Sequence, residues 1–202
     1  MKTIEDYIIV IDNVLPKPLC KEIINIYDSI NDDDNLKVKR DNDFMRFSEI
    51  NMIDHSAYNE NITSKFINYM QHTNFNYFDK TCDNLKQRFS CYERFNDYEA
   101  PRVKRYEPNK GKFDWHIDSA SVESMRRALV MFWYLNDVEE GGETIFDLGE
   151  GKTLSVKPKA GRVVCFPPFF MFPHMGATPI SGPKYVVSSY VCLPEVYGQS
   201  CD

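Results

Sequence analysis

Several things are scarce in this sequence, and each scarcity removes a class of protein. Positive charge is one: 24 Lys and Arg stand against 30 Asp and Glu, a net charge of -6 with a pI near 5.3. A general binder of nucleic acid or of anionic membranes needs a positive field to displace counterions, so no nucleic acid and no membrane partner is expected. Long apolar runs are also missing. No stretch approaches the roughly 20 residues of a membrane-crossing helix, and Met1 to Tyr7 is acidic where a secretory leader would be basic. Paired cysteine spacing is absent as well: Cys20, Cys82, Cys91, Cys165, Cys192 and Cys201 contain no C-x-x-C. They read as free thiols, several of them buried as small apolar groups, and the chain reads as cytoplasmic.

What is present suffices for one core. At 202 residues, 43% hydrophobic and 14% aromatic, the chain is expected to form a single domain over 1–202. A β-branched run from Tyr7 to Asp12 is followed by Pro16 and Pro18, which suit the first turn of a helix. Leu19, Ile23, Ile24 and Tyr27 then recur at helical spacing to about Ile30. The acidic segment 31–43 has no apolar period and reads as an exposed loop, or functionally as a lid over a groove. Phe47 to Ile53 suits a strand. Two helical stripes follow, Ile62, Phe66, Ile67 and Met70 in one and Phe78, Cys82, Leu85 and Phe89 in the next. From about Tyr98 the pattern changes to short β-rich runs broken by glycine, namely 102–106, 113–118, 128–135, 144–146, 153–156, 162–166 and 184–192. Helices in 1–97 and strands in 98–194, with a tail at 195–202, predict an α+β domain whose strands close into a sandwich or barrel-like roll with a mouth.

Histidine is rare enough to examine singly, with four in the chain. His55 and His72 have no second ligand type at metal-binding spacing and read as structural. His116 and Asp118 lie two apart in Phe113-Asp114-Trp115-His116-Ile117-Asp118, so strand geometry would turn both to one face. His174 is the other histidine of the C-terminal half. Two imidazoles and a carboxylate on one face of an octahedron, with the opposite face open, suit a non-haem Fe(II) oxygenase. An H-x-D pair alone is common by chance, so the neighbours carry the argument. Lys184 opens a strand on which Lys184, Val186, Ser188 and Tyr190 share a face. A lysine inside a roll needs a counter-charge, and no acidic residue of that strand supplies one. Either a carboxylate from elsewhere in the chain or a bound anion must do so.

The set Tyr106, His116-x-Asp118, Gly141-Gly142-Glu143-Thr144, His174 and Lys184 resembles the 2-oxoglutarate- and Fe(II)-dependent dioxygenases, specifically their prolyl 4-hydroxylase branch. The resemblance spans roughly Arg102 to Pro194 and implies a double-stranded β-helix, a jelly-roll or cupin-like core with supporting N-terminal helices. It implies that His116, Asp118 and His174 hold Fe(II) and that Lys184 holds the distal carboxylate of 2-oxoglutarate, helped by Tyr134. Tyr106 would sit near the metal-bound end of that cosubstrate. Phe113 stands where many members have tyrosine, and Trp115 should face away from the metal by alternation. Arg102 and Lys104 share parity with Tyr106 and are candidates, with Tyr190, for the substrate side of the mouth.

The implied reaction consumes O2 and 2-oxoglutarate, releases succinate and CO2, and hydroxylates an unactivated C–H bond, with ascorbate as a supporting reductant. The expected substrate is a prolyl residue of a peptide or protein, procollagen-proline 4-dioxygenase being the nearest activity. A free amino acid or another side chain is the alternative within the class. Nucleic-acid demethylation is disfavoured, because Met175 to Lys184 contains no arginine. From outside enzymes, a non-catalytic module that binds metal and 2-oxoglutarate is the competing reading.

Overall fold

A computed structural model describes residues 2–81 and 97–193. A 3-10 turn at Ile4–Tyr7 leads into β1 (Ile9–Ile11), and α1 (Lys17–Ser29) begins with Pro18 in its first turn. There the missing N–H costs nothing, because first-turn donors have no partner inside the helix. Next come β2 (Lys37–Asp41), β3 (Met45–Asn51) and α2 (Glu60–Thr81). The remaining strands are β4 (Asp97–Tyr98), β5 (Arg102–Tyr106), β6 (Lys112–His116), β7 (Arg127–Tyr134) and β8 (Thr144–Asp147). They are followed by β9 (Thr153–Val156), β10 (Val163–Phe166), β11 (His174–Gly176) and β12 (Lys184–Cys192).

The strands form one hydrogen-bonded sheet in the order β1-β10-β7-β12-β5-β3-β6-β11-β8-β9, with β2 added to β3 and β4 to β12. Alternation along β7 shows how the sheet is used. Leu129, Met131 and Trp133 face the helices and share a core with Ile23, Tyr27, Phe66 and Met70. Val130, Phe132 and Tyr134 face the other way, into a second cluster with Phe146, Val156 and Phe166. Phe146 and Val156 belong to β8 and β9, at the far end of the strand order, so the sheet must curl to bring them onto β7. The result is a jelly-roll double-stranded β-helix, with helices on the convex side and the second cluster enclosed on the concave side.

Some sequence expectations change. Residues Lys37–Asp41 are a strand, not loop, because they pair antiparallel with β3 from Lys37↔Ile50 to Asp41↔Arg46. Most of the charges that hide this strand sit on an edge in solvent, while the buried Lys37 ammonium is held by Asp32 and the Ile30 carbonyl. The two helical stripes begin on a single helix: α2 carries Ile62, Phe66 and Met70 and continues through Phe78 to Thr81. Cys82, Leu85 and Phe89 lie outside the described residues, as do Cys91, Cys201, Pro194 and the tail 195–202. Cys20, Cys165 and Cys192 are buried free thiols. Among the described residues no helix is long and apolar enough to cross a membrane.

Candidate metal centre

Adjacent strands meet at the site. β6 and β11 pair with His174 directly opposite His116, and the register shifts between His174 and Gly176. β6 ends at His116, and Asp118, two residues on at a bend, still converges on the same point. One ligand atom from each of His116, Asp118 and His174 lies within 4.8 Å of the others. They are the one group of its kind among the described residues. His55 instead pins a loop, its Nε2 3.2 Å from Asp34 and its Nδ1 accepting from the Ala57 N–H. His72 is exposed on α2.

The backbone sets the tautomer of both imidazoles. Nδ1–H of His116 donates to the Asp114 carbonyl at 2.7 Å, and Nδ1–H of His174 to the Phe172 carbonyl at 3.1 Å. Each Nε2 therefore keeps its lone pair for a cation. Rings fix the orientations: Phe113 stacks on His116 at 3.6 Å and 16°, while Phe166 meets His174 edge-on at 4.7 Å. Burial, reinforced by repulsion from His174, lowers the His116 pKa to about 4. That imidazole is neutral, and so a competent ligand, at physiological pH.

Asp118 is buried, and burial by itself pushes its carboxyl up. The neighbouring His174 and His116 and the hydroxyl of Tyr190 more than offset this and hold it below the usual carboxylate range. Tyr190 Oη donates to Asp118 Oδ1 at 2.8 Å. Asp118 Oδ2 is 3.3 Å from His174 Nε2 but makes no hydrogen bond, and it is buried without a partner. A buried carboxylate oxygen left without a hydrogen bond beside two imidazole Nε2 atoms is the donor set a divalent cation satisfies. The residues therefore fit a metal.

Behind the ligands lies a cavity of about 510 Å³, counting its open mouth. Lys184 and Tyr106 reach into it, cross-strand partners on β12 and β5. Lys184 is 2% exposed, and its Nζ donates to the Gly142 carbonyl at 3.0 Å and lies 4.4 Å from the Tyr106 ring centroid. Burial lowers its pKa to about 7, with the distant charge of Glu143 opposing. The Gly141-Gly142 pair makes this contact possible. Both have positive φ, and a Cβ on Gly141 would fall 2.4 Å from the Thr178 carbonyl oxygen.

Tyr134 sits differently from Tyr106. It is fully buried beyond the cavity lining, with its hydroxyl 2.7 Å from Thr144 Oγ1 and 3.1 Å from the Val156 carbonyl. Thr144, which does line the cavity, is the group it positions. Lys104 and Tyr190 also line the cavity, and Arg102 stands farther out in an open groove of about 1260 Å³. Trp115 is 44% exposed and borders that groove rather than the ligands.

One part of the site has little sequence signal. Arg127 grips both carboxylate oxygens of Glu99 through Nε and Nη2, and its Nη1 donates to the Asp118 carbonyl at 2.8 Å. Its guanidinium lies 3.6 Å from the Tyr190 ring centroid. Glu99 and Arg127 are 28 positions apart, so only the three-dimensional arrangement reveals that they brace Asp118.

Residues 101–192 match the family model of the 2OG-Fe(II) oxygenase superfamily. No curated protein matches by sequence. Among solved structures, a prolyl-4-hydroxylase from Pseudomonas putida superposes with a TM-score of 0.64 at 16% identity, covering 94% of each chain. A prolyl hydroxylase from Trichoplax adhaerens, in complex with a peptide fragment of the hypoxia inducible factor oxygen degradation domain, gives 0.66 at 16% identity over 93% of this chain and 84% of that one. A viral collagen prolyl hydroxylase of Paramecium Bursaria Chlorella virus-1, in its 2OG complex, gives 0.59 at 21% identity over 93% and 97%. Residues 101–192 thus carry the pattern of the 2OG-Fe(II) oxygenase superfamily, and the chain has the fold seen in these prolyl hydroxylases.

Proposed function

We propose that this protein, acting as one catalytic domain, hydroxylates a prolyl residue in a peptide or protein, with 2-oxoglutarate and O2 consumed and succinate and CO2 released. The observation that carries the reading is one cavity with a cation-binding face at its mouth and a buried ammonium within. Such a cavity suits a small dianion that must reach a metal with one end and a positive charge with the other. His116, Asp118 and His174 would hold Fe(II), which when bound supplies the dioxygen chemistry that turns a C–H bond into C–OH.

The chain's own residues then bind, orient and exclude water. The Lys184 ammonium pairs with the distal carboxylate, and Thr144, set by Tyr134, offers a hydroxyl beside it. Tyr106 walls the same cavity, and its pKa is raised by burial, so it stays a neutral hydroxyl. Phe113, Phe132 and Val186 keep the interior dry, which strengthens each polar contact. The likeness to prolyl hydroxylases, one of them solved with a peptide, and the open groove outside the ligands favour a peptide over a free amino acid.

The test is direct. Metal-free protein is reconstituted with Fe(II), ascorbate and 2-oxoglutarate in air, and succinate is followed by NMR with and without a proline-rich peptide. Succinate that requires iron, rises with peptide and disappears in His174→Ala is the expected result. Binding of 2-oxoglutarate to the iron-loaded protein with no consumption across a broad substrate panel would overturn it.

A further inference from the structure

Three basic residues climb one face of the sheet from the cavity to the groove. Across the β5–β12 pairing, Tyr106 stands opposite Lys184, Lys104 opposite Val186 and Arg102 opposite Ser188. Strand alternation turns all of them to the concave side, with Lys184 deepest, Lys104 at the junction of cavity and groove, and Arg102 exposed on the groove. Lys184 has a place in the reading above. Lys104 and Arg102 do not.

The natural counter-ion for Lys104 is Glu49, its cross-strand neighbour on β3. Glu49 is engaged elsewhere: its Oε1 accepts from Arg40 Nε at 3.2 Å and Nη2 at 3.0 Å. The Lys104 ammonium has instead the face of Phe47, 5.2 Å from the ring centroid. Among the described residues neither Lys104 nor Arg102 forms an ion pair, whereas Arg40, Arg105, Arg126, Arg127 and Arg162 all do. Burial also pushes the Lys104 ammonium below its ordinary range, and attraction to Glu49 and Asp118 only partly opposes this. Holding a part-buried cation without an ion-pair partner beside a cation-binding site costs stability that the Phe47 face and the attraction to Glu49 and Asp118 offset only in part. The cost is offset when an anion enters the groove.

We propose that Lys104 and Arg102 select a peptide carrying aspartate or glutamate next to the residue to be oxidised. The inference rests on the peptide-oxygenase reading and adds the charge of the substrate to it. The acidic side chain would lie along β5, its carboxylate between the two cations, while Phe44 and Trp115, both partly exposed, take the flanking apolar atoms. The chain as a whole is acidic at -6, so this patch is a local reversal of the field and not a general attraction to anions.

The experiment uses fluorescein-labelled peptides with a central proline flanked either by aspartates or by asparagines. Binding is read by anisotropy and turnover by succinate, on the iron-loaded protein. The aspartate peptide is expected to bind and turn over with about tenfold higher kcat/KM than its neutral twin, mainly through KM. The preference is expected to fall at least severalfold in Lys104→Met and Arg102→Gln, to survive in Lys104→Arg, and to invert toward a lysine-flanked peptide in Lys104→Glu. Equal kcat/KM for acidic and neutral peptides overturns the charge proposal while leaving the oxygenase reading intact. A rise in the KM for 2-oxoglutarate, with peptide KM unchanged in Lys104→Met, also overturns it, since Lys104 would then serve the cosubstrate. Acidic peptide that binds through Lys104 but yields no succinate keeps the charge selection and overturns the peptide-oxidation reading. No binding and no turnover with any peptide overturns both.

Discussion

Leu129, Met131 and Trp133 on β7 point to the helices, while Val130, Phe132 and Tyr134 on the same strand point to the cavity, so the two faces of one sheet can be compared residue for residue. On the convex side the hydroxyls are tied into the packing: Tyr27 to Ser48, Tyr58 to the Ile23 carbonyl and Tyr77 to the Tyr7 carbonyl. Aromatic edges fill the rest, as where Phe66 meets Trp133 at 4.9 Å and 77°. On the concave side the buried residues include Asp118, His174 and Lys184, and an oxygen of Asp118 is left without a partner. The first face lowers the free energy of the fold. The second also buries an apolar cluster, but the polar groups set into it cost stability, and they are the ones placed to bind a ligand.

That contrast can be broken most strongly from the convex side. Phe66→Ala removes a fully buried ring from the helix–sheet core and is expected to cost about 3–5 kcal/mol, read as a lowered urea midpoint. Lys184→Met is expected to act with the opposite sign on stability. The ligand-free protein should melt higher, because a buried ammonium whose hydrogen bonds go only to carbonyl oxygens is removed, while the KM for 2-oxoglutarate rises by about thirtyfold or more. If both variants simply melt lower, the division of labour between the faces is wrong.

A smaller effect sharpens the comparison within the concave side. Tyr190→Phe deletes the hydrogen bond to Asp118 Oδ1 but keeps the ring against Arg127, and metal affinity is expected to fall about tenfold with little change in melting. Competition against a chelator measures it. The smallest effect is in pH. The Lys184 pKa in the folded protein is lowered to about 7, below the ordinary value of 10.5. Between these values the unfolded chain holds a proton that the folded one lacks, so ligand-free stability rises with pH through that window and the full penalty is present below about 7. A carboxylate beside Lys184 favours the ammonium, so 2-oxoglutarate binding should take up a proton above about pH 7 and weaken by at most about tenfold per unit. Calorimetry in two buffers of different ionisation enthalpy reads that proton; none taken up means that Lys184 is already charged or does not meet the carboxylate.

Much of this arrangement was legible in the sequence where chemistry is local. The presence of a strand at β7, the bounds of β9 and β12, and the H-x-D pair with a distant histidine are written in residue types a few positions apart. β11 was not legible: it is three residues long, follows Pro173 and ends in glycine, and it exists because β6 and β8 hold it on both sides. β2 was hidden by its lysines and arginine, which an edge strand tolerates. The resemblance puts Tyr134 beside the distal carboxylate, and in the free protein its hydroxyl meets Thr144 Oγ1 and the Val156 carbonyl. Residue types alone do not give its face, and the curl of the sheet decides what that face meets. The brace of Glu99 and Arg127 on Asp118 is a long-range contact with no spacing rule to disclose it.

His116 and His174 face one another across β6 and β11 at the point where the register slips. The two strands are far apart in sequence, 174 minus 116 being 58 positions, and β11 is too short to fix its own alignment. An ion held by both imidazoles would rivet them there, as a cross-link rivets a seam, and would forbid the one-residue slide that turns every side chain of β11 over. Loading the centre should then slow amide exchange at Met175 and its neighbours more than on β7, whose length secures it already.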